Sequence, residues 1–316
     1  MDVQQFIEKN SFYPLHKTHL KTEKSFKFFD KGLVCYEETK DAFVVAGDPI
    51  CKNKTDIPKV LDEFVVWAKT QGKLVCGYYF SQYVADKSKN LISYYAGVTL
   101  GSDLTKFKLA GGEAKEIRRS LNYGERRELS FAELSRSDYF ELFFELKNLE
   151  SKWFSNKSAF KKIKFLLSSI KLENKKVSDR HFVVRNKKNK IIAYISLDQF
   201  KEPKKQLSFY VDHMFQDPKQ YRLALDFLIA KVIVQLKKEG HKYLDLGFCP
   251  FHNVKPKSFI ESGLFLSSHI KYLYNSKGVY KYKNKFSNYK KPGFLLIDPE
   301  YSKLKQCLAL GQVTFQ

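Results

Sequence analysis

The sequence lacks any long apolar run. No stretch of its 316 residues approaches the roughly 18 uninterrupted apolar residues that a membrane-spanning helix needs. Residues 1–10 also lack the basic region followed by an apolar core that is typical of a secretory leader. We therefore expect a cytoplasmic protein whose membrane contact would be peripheral, at the inner face, through charge and a few aromatic side chains.

Motifs for metal binding and nucleophilic catalysis are scarce as well. The five cysteines are scattered and form no C-x-x-C pair, which argues against a disulfide framework and against a zinc site; we expect no metal. No serine lies in a G-x-S-x-G setting, so a nucleophile elbow is not supported. His213 and His252 could act as general bases, but a lone histidine is more often packed or hydrogen-bonded, and neither has a carboxylate partner visible in the sequence.

The chain has enough apolar residues for a core in each of two halves. It is 43% hydrophobic and 16% aromatic, and it is longer than one typical domain of roughly 100 to 200 residues. The basic excess is uneven: residues 1–135 hold 21 Lys or Arg against 18 Asp or Glu, and residues 136–316 hold 35 against 16. The net charge of +22 predicts binding to a nucleic acid, an anionic membrane or a phosphorylated substrate. A lysine-rich solvated surface would explain the lysines but not the asymmetry.

Alternating strand and helix patterns occur in the first half. Apolar runs at residues 43–46 and 74–80 predict strands, and residues 60–70 between them have helical apolar spacing. Gly47 begins a turn after the first of these strands, and Gly72 ends the helix. A charged helix at residues 114–121 and a strand near residues 128–131 follow, and we place a domain boundary after them, between residues 1–135 and 136–316.

The second half repeats this style. A helix at residues 138–152 should bury Phe140, Phe143, Phe144 and Leu146 along one stripe. The elements expected after it are strands at residues 181–185, 191–200 and 206–211, a helix at 221–239 and a strand at 243–247. This order resembles the core of the GNAT acyltransferase fold. We expect an α/β (α+β) protein with two tandem GNAT-like domains, each a mixed, mostly antiparallel sheet flanked by helices.

Three stretches resemble the catalytic C-terminal domain of the phosphatidylglycerol lysyltransferase (lysyl-phosphatidylglycerol synthase) family. The first contains Gly47-Asp48-Pro49, Gly97, Asp103-Leu104, Phe107, Leu109, Arg118 and Asn122. The second contains Val-Asp-His-Met at residues 211–214, Asp226, and Leu-Gly-Phe-Cys-Pro-Phe at residues 246–251. The third is residues 274–286, which begin with Tyr274-Asn275 and end with Lys283-Asn284-Lys285-Phe286. The resemblance implies two fused GNAT-like folds that move an aminoacyl group from transfer RNA to a lipid.

The chain also departs from the family pattern. Gly97-Val98-Thr99-Leu100 stands where the family usually has Gly-Glu-Glu-Ala, Phe215 replaces an arginine, and Asn288 and Lys290 replace a Pro-x-Trp pair. These changes alter the charge of the expected substrate cleft, so the amino acid and the acceptor stay open. The resemblance does not include the membrane-spanning flippase half of many members.

The resemblance predicts a set of catalytic and substrate-binding residues. Asp212, at the end of a predicted strand, would pair with the donor's α-ammonium group or act as a base, and backbone amides near Gly247 and Phe248 would stabilise an oxyanion. A turn or helix-capping role is the alternative for Asp212, and Asp226 is expected to be structural. The substrate-binding residues expected are Asp48, Arg118, Asn122, Trp153, Tyr274 and Asn275. Arg118 and Asn122, one helical turn apart, either face the interdomain cleft or form a solvated helix face.

A cluster of lysines near the end of the chain is interleaved with aromatic residues. Its members are Lys281, Lys283, Lys285, Lys290 and Lys291. In a strand the first three would share one face, where they could contact phosphates of tRNA or of a lipid headgroup. An edge strand with lysines that block aggregation is the alternative.

The predicted function is an aminoacyl-tRNA-dependent aminoacyltransferase acting on a phosphatidylglycerol-like lipid or another small acceptor. The turn at residues 220–224 has no glycine to cradle a pyrophosphate, which argues against coenzyme A; we expect no cofactor and no DNA. The expected partners are an aminoacyl-tRNA and an anionic phospholipid or small acceptor. The alternatives are an acyltransferase that uses a thioester donor, and a non-catalytic module that binds RNA or an anionic membrane.

Overall fold

The structure, a computed structural model, describes residues 2–10, 12–22, 24–112, 114–155, 169–173, 178–201, 207–219, 221–269 and 275–314. The strands in these ranges are β1 Ser25–Phe29, β2 Gly32–Glu38, β3 Ala42–Ala46, β4 Ile50–Cys51, β5 Leu74–Ser81, β6 Ile92–Asp103, β7 Ser130–Leu134, β8 Arg180–Arg185, β9 Ile191–Lys201, β10 Leu207–Gln216, β11 Tyr243–Pro250 and β12 Tyr289–Ile297. The helices are α1 Val3–Asn10, α2 Leu15–Lys21, α3 Ile57–Thr70, α4 Gln82–Lys87, α5 Lys115–Arg126, α6 Arg136–Glu141, α7 Phe143–Ser155, α8 Ala224–Lys238, α9 Phe259–His269, α10 Ser276–Asn284 and α11 Lys303–Thr314.

All twelve strands form one sheet, flanked by helices. Its order is β1-β2-β3-β5-β12-β6-β11-β10-β9-β8-β7, and β4 also pairs with β2. The pairs β3–β5 and β10–β11 are parallel, and the other pairs in the described ranges are antiparallel. Each parallel pair is linked by a crossover helix, α3 in the first half and α8 in the second, as parallel strands require. The expected mixed α/β architecture with a mostly antiparallel sheet is confirmed.

The two halves of the chain exchange strands. β12, from the second half, lies between β5 and β6 and pairs with both, while β6, from the first half, pairs with β11. β7, which precedes residue 135, pairs with β8. Each exchanged strand covers backbone N–H and C=O groups that would otherwise lie on an open sheet edge. The two tandem domains expected from the sequence are therefore one continuous sheet in this structure.

Apolar residues of α8 form the largest core of the second half. Its inward face packs on strands β8 to β11, and α5 lies against its outer face. The contact between these helices is close at Gly124, where an added Cβ would lie 2.2 Å from the ring of Phe227. Strands β3 and β5 of the first half are covered on one face by α3 and on the other by α11, which comes from the end of the chain. Packing on both faces fixes the positions of β3 and β5 and of the residues that follow each strand.

One helix expected in the second half is interrupted. Residues 138–152 form parts of α6 and α7, which meet at Leu142, and a capping box of Ser135 and Asp138 begins α6. Because α7 restarts with Phe143 and Leu146 turned inward, Phe144 is 78% exposed and does not belong to the buried stripe. The sequence expectation was wrong for this side chain.

The part of the lysine-rich segment that contains Lys281 and Lys283 is a helix, whereas Lys290 and Lys291 lie in strand β12. α10 begins after Asn275, whose side-chain oxygen accepts a hydrogen bond from the N–H of Gly278 at 2.9 Å. Lysines near the C-terminal end also complement the helix dipole. Alternate residues of a helix point about 200° apart. The prediction that Lys281, Lys283 and Lys285 share one face of a strand is therefore wrong.

Candidate functional site

Two parallel strands separate at the middle of the sheet. β10 and β11 pair at Phe209 with Leu244 and at Tyr210 with Asp245, and each strand then has an irregularity that shifts its register with its other neighbour. The irregularity in β11 includes Gly247, whose φ of 89° is one that L side chains rarely adopt. Beyond Asp245 the two strands no longer pair, and we refer to the gap between them as the cleft.

A cavity of about 80 Å³ lies beside this cleft, where β5, β6, β11 and β12 meet α2. The polar and charged residues that line it include His16, His19, Asp48, Thr99, Asp245 and Lys291. They come from five separate parts of the chain, and the strand exchange at β12 brings Lys291 to the others. This cavity is the candidate functional site.

Asp48 contributes one carboxylate to the cavity from the turn that follows β3. Its Oδ1 accepts a hydrogen bond from the backbone N–H of Ser81 at 2.8 Å. Burial raises the pKa of Asp48 to about 6, although the Ser81 hydrogen bonds, Tyr13 and Lys54 act to lower it. The carboxylate is thus ionised at neutral pH but titrates near it.

Asp245 contributes a second carboxylate from β11, and the sequence analysis did not identify it. The N–H of Gly247 donates to its Oδ1 at 2.7 Å, and the hydroxyl of Tyr289 donates to its Oδ2 at 3.1 Å. Burial raises the pKa of Asp245 to about 6, although these donors and the ammonium groups of Lys291 and Lys283 act to lower it. Its position two residues before Gly247 was a signal that could have drawn attention to it.

Gly247 and Phe248 lie at the cleft, as expected, but their backbone groups have partners. The N–H of Gly247 is engaged by Asp245, so it is not free for an oxyanion. The carbonyl of Phe248 accepts a hydrogen bond from Lys283 Nζ at 3.3 Å, and the Phe248 ring packs on Tyr79 with the centroids 4.7 Å apart. Both residues therefore shape the cleft.

Lys283 is buried next to Gly247 and does not lie on the surface. A Cβ at Gly247 would lie 3.1 Å from Lys283 Nζ, which puts the ammonium group at the mouth of the cleft. Burial lowers the pKa of Lys283, with Cys249 and Asp245 acting to raise it. A buried ammonium group with a long hydrogen bond is better placed to stabilise a negative charge that develops during a reaction than to bind the solvated phosphates of a nucleic acid.

Asp212 lies in a closed ionic cluster within β10 and not at the end of a strand. Its Oδ2 is 2.8 Å from Lys21 Nζ, 2.9 Å from His213 Nδ1 and 2.9 Å from the hydroxyl of Ser178. Burial alone would raise the pKa of Asp212, but His213 and Lys21 outweigh it and hold the pKa well below its usual range. So strongly paired a carboxylate is a poor proton acceptor. His213, for which no carboxylate partner was visible in the sequence, has one in Asp212.

Lys21 joins this cluster to the first half of the chain. It comes from α2, and its Nζ also lies 2.5 Å from Asp198 Oδ2 on β9. Burial acts to lower the pKa of Lys21, but Asp198 and Asp212 outweigh it and raise the pKa above its usual value. The ammonium group therefore stays charged and ties α2, which lines the cavity, to β9 and β10.

The remaining predicted substrate-binding residues that the structure describes lie away from the cavity. Arg118 donates to the carbonyl oxygens of Leu109 and Gly111, and exposed Asn122 shares its open groove on α5. Trp153 packs against two hydrophobic clusters, and Asn275 caps α10. Tyr274 lies outside the described residues.

The other predicted phosphate-binding lysines are dispersed. Lys285 Nζ pairs with Asp226 Oδ2 at 2.7 Å, which gives Asp226 the structural role expected of it. Lys290 donates to the hydroxyl of Tyr280 at 2.6 Å, and Lys291 lines the cavity and lies over the rings of Tyr243 and Tyr289. Lys281 is exposed on α10. Of the five, only Lys283 and Lys291 reach the site.

The described residues contain no group of three or more His, Cys, Asp or Glu side chains that could hold a metal ion. Among the helices of these described residues, none is long and apolar enough to cross a membrane. In the turn before α8, Tyr221 has a φ of 56°, and Gln220 lies outside the described residues.

Comparisons with known proteins agree with the motifs. The profile of the family described as "Phosphatidylglycerol lysyltransferase, C-terminal" matches residues 4–297. The phosphatidylglycerol lysyltransferase of Staphylococcus epidermidis is 24% identical over 295 residues, covering 90% of this chain and 34% of that protein. The one from Staphylococcus haemolyticus is 23% identical over 289 residues, covering 87% and 33%. The chain thus spans about a third of the length of these relatives.

Solved structures show the same fold. The C-terminal domain of a protein described as a lysylphosphatidylglycerol synthetase from Agrobacterium fabrum has a TM-score of 0.79 at 23% identity, with 99% of this chain and 97% of that chain covered. L-PGS from Bacillus licheniformis also has a TM-score of 0.79, at 18% identity, with 99% and 96% covered. FemX has a TM-score of 0.51 at 9% identity, with 99% and 97% covered.

Proposed function

Because the chain belongs to the phosphatidylglycerol lysyltransferase C-terminal family, we propose that it moves an aminoacyl group from a charged tRNA to phosphatidylglycerol or a similar small acceptor. The observation that carries the proposal is the cavity beside the strand separation, which brings two buried carboxylates and Lys291 to one place, with Lys283 close enough to act on Asp245. An aminoacyl ester is already activated, so the protein needs only to orient it, accept a proton and stabilise an oxyanion.

The groups around the cavity can divide this chemistry among them. Asp48 would hold the α-ammonium group of the donor, and Asp245, with its pKa raised by burial to about 6, would accept the proton of the acceptor hydroxyl. The attacking oxygen forms a bond to the ester carbonyl carbon, the bond from that carbon to the tRNA ribose oxygen breaks, and the ribose oxygen leaves as a hydroxyl with the proton that Asp245 had accepted. The buried ammonium group of Lys283 at the cleft mouth would stabilise the intermediate oxyanion.

A tRNA donor is supported by the charge distribution. The basic excess of residues 136–316 suits binding to a phosphate backbone outside the cavity. α5 adds an open groove of about 680 Å³ whose lining includes Lys115, Arg118, Arg119 and Arg126. The turn before α8 has no glycine for a coenzyme A pyrophosphate, which disfavours a thioester donor.

Contact with an anionic membrane is supported by the outer faces of α9 and α11. Phe259 and Leu266 on α9, and Leu304 and Leu308 on α11, are each about 60% exposed. Their spacings of seven and four residues put each pair on one side of its helix. Lys255, Lys257, Lys303 and Lys305 are exposed beside them. Apolar side chains among lysines are typical of peripheral binding to anionic lipid.

A transfer assay tests the proposed reaction. The chain is incubated with total tRNA charged with a full set of radiolabelled amino acids and with phosphatidylglycerol vesicles, and the lipid is then extracted. We expect label in the lipid phase and a loss of roughly 10²-fold or more with Asp245→Asn. Asp86→Asn, at an exposed position on α4, is the matched control and should leave the rate unchanged. Label that stays on the tRNA with every amino acid, in assays containing membrane lipid extract as well, contradicts the proposal.

Vesicle flotation tests the membrane surface separately. Leu304→Gln together with Leu308→Gln should reduce binding to phosphatidylglycerol vesicles several-fold, because each change removes buried apolar area at the interface. Phe144→Gln on α7 is the control, since that ring is also exposed but lies on another helix. Equal loss with the control, or equal binding to phosphatidylcholine vesicles, would argue against this surface.

A further inference from the structure

The cavity beside Asp48 and Asp245 is small. Its volume is about 80 Å³, and its lining includes Asp48, Thr99 and Asp245. A donor whose α-ammonium group lies at Asp48 therefore has room beside it for a short side chain. A lysyl side chain has four more non-hydrogen atoms than an alanyl side chain and would have to extend past this lining.

The charges around the cavity balance a single cation. Asp48 and Asp245 supply two negative charges, and the ammonium group of Lys291 offsets one of them. The α-ammonium group of a bound aminoacyl ester offsets the other. Lys54 near Asp48 and Lys283 near Asp245 add further positive potential. A second ammonium group on the donor would therefore be buried without a counter-charge, which is strongly unfavourable.

The wall formed by α2 is uncharged. Burial lowers the pKa of His16 to about 3, and burial, Lys24 and His16 together lower the pKa of His19. His16 Nε2 lies 3.3 Å from the carbonyl oxygen of Asp48. His16 Nδ1 and His19 Nε2 are buried ring nitrogens without a hydrogen-bond partner among the described residues. These neutral imidazoles can hydrogen-bond to an uncharged polar group but cannot balance a cation.

The wall formed by β6 offers a hydroxyl group and no carboxylate. Thr99 lines the cavity, and its Oγ1 donates to the hydroxyl of Tyr79 at 3.0 Å. Burial and the nearby Asp245 hold the pKa of Tyr79 well above its usual value, so this hydroxyl also stays neutral. This wall therefore adds no carboxylate to those of Asp48 and Asp245.

From this volume and charge balance, and resting on the proposed function, we infer that the cavity selects a small, uncharged aminoacyl group of the alanyl or seryl type over lysyl. Asp48 holds the α-ammonium group, and the short side chain lies against Thr99 and the two histidines. The residue that sets the selectivity against a second cation is Thr99, because it stands where an added carboxylate would face the bound side chain.

Binding of amino-acid amides tests this inference without turnover. Alaninamide, serinamide and lysinamide, in which the amide stands for the ester carbonyl, are titrated into the full chain by calorimetry. The same chain is assayed for transfer from alanyl-, seryl- and lysyl-tRNA. We expect alaninamide or serinamide to bind at least about tenfold more tightly than lysinamide, and the transfer rates to follow the same order.

Two variants at one position sharpen the test. Thr99→Glu adds a carboxylate to the cavity wall and should shift the ratio of lysinamide to alaninamide affinity by about tenfold or more toward lysinamide. Thr99→Gln has nearly the same size without the charge and should not shift it. If Thr99→Glu does not fold, the selectivity of the unaltered chain still decides the question.

The outcomes separate the two claims. Lysinamide binding as tightly as alaninamide to the unaltered chain overturns the selectivity, even if transfer to lipid occurs. Selective binding of alaninamide or serinamide with no transfer from any tRNA keeps the selectivity and defeats the proposed reaction. Binding of none of the three amides overturns the assignment of the cavity to the amino acid.

Discussion

Asp245 is ionised in surroundings that favour its neutral form. Because burial raises its folded-state pKa to about 6, above the ordinary value of 3.8, ionisation destabilises the fold as pH rises between these values. Asp245→Asn keeps an oxygen for the N–H of Gly247 and removes the charge. We expect the variant to be more stable than the unaltered chain at pH 8, by up to about 2–3 kcal/mol, while losing transfer activity.

Urea unfolding at pH 4 and at pH 8 measures this effect. Near pH 4 Asp245 is protonated in the folded chain, so the two proteins should unfold at nearly the same urea concentration. The difference should grow as pH rises from about 4 to about 6 and change little above that. A variant that is less stable at pH 8 would show that the carboxylate is stabilised by its donors and Lys291 more than burial disfavours it.

Lys21 should matter more to stability than any exposed lysine. Lys21→Met leaves Asp198 and Asp212 buried without their shared cation, so we expect a loss of about 3–5 kcal/mol in the free energy of unfolding. Lys17→Met on the same helix removes a partly exposed pair with Asp179 and should cost no more than about 1 kcal/mol. Both values come from denaturant unfolding at pH 7. Similar losses for the two variants would contradict the role assigned to the cluster.

The sequence identified some of these residues and could not identify others. Asp48 was predictable because a Gly-Asp-Pro turn directly follows a predicted strand, so the motif and its position are both local. Asp212 was singled out as well, but its partner Lys21 is far away in the chain and comes from an unrelated helix. Asp245 stands between two leucines, like many strand carboxylates. Only the packing of distant elements shows which of these carboxylates faces a cavity.

At the scale of elements, α5 and α8 depend on a glycine. Gly124→Ala would place a methyl group 2.2 Å from the Phe227 ring, so the helices must move apart. We expect a net destabilisation of about 1–3 kcal/mol, despite the roughly 1 kcal/mol that alanine gains over glycine in a helix. Gly311→Ala on α11 is the control, because nothing lies within 4 Å of its added Cβ, and it should be slightly stabilising.

Thermal or urea unfolding of the two variants compares them directly. If Gly124→Ala were as stabilising as Gly311→Ala, the contact between α5 and α8 would be looser than the structure describes. Both variants replace a helical glycine by alanine, so the gain in helix propensity is the same in each. The sign of the difference between their free energies of unfolding therefore reports on the contact between α5 and α8.

Most elements were predictable from apolar periodicity, and the exceptions have physical causes. β3 and β5 follow from continuous apolar runs because both of their faces are buried, and α3 follows from helical apolar spacing because it buries one face. In the segment that forms α10, alternating lysines and aromatics also fit a strand, and the cap at Asn275 decides for a helix. The break at Leu142 was not visible because the apolar spacing continues across it.

At the scale of the whole molecule, neither half should be a stable protein alone. Residues 1–135 lack β12, so β5 and β6 would lose the strand between them, and residues 136–316 lack β6, which covers β11. We expect each half, expressed separately, to be largely insoluble or to lack a cooperative unfolding transition. Co-expression of the two should restore a soluble complex. Independent folding of either half, seen as a sharp transition, would contradict this expectation.

The strand exchange was beyond the reach of sequence reasoning. Periodicity gives each half the same order of strands, crossover helix and parallel strand, and tandem domains are the simplest arrangement of that order. Nothing local distinguishes a strand that pairs within its own half from one that crosses over. β12 and β6 do cross over, and the cavity exists only because they do.

The position of β12 also bears on how the protein is made. During synthesis at about 5–20 residues per second, the ribosome takes roughly ten to forty seconds to progress from Asp103, the last residue of β6, to Tyr289, the first of β12. Throughout that interval no strand lies between β5 and β6 of the nascent chain. A chaperone could protect the unpaired edges of these two strands, and a rare slow codon could prolong the interval. An unfinished chain therefore cannot assemble the cavity, which forms only after β12 has been synthesised and has paired with β5 and β6.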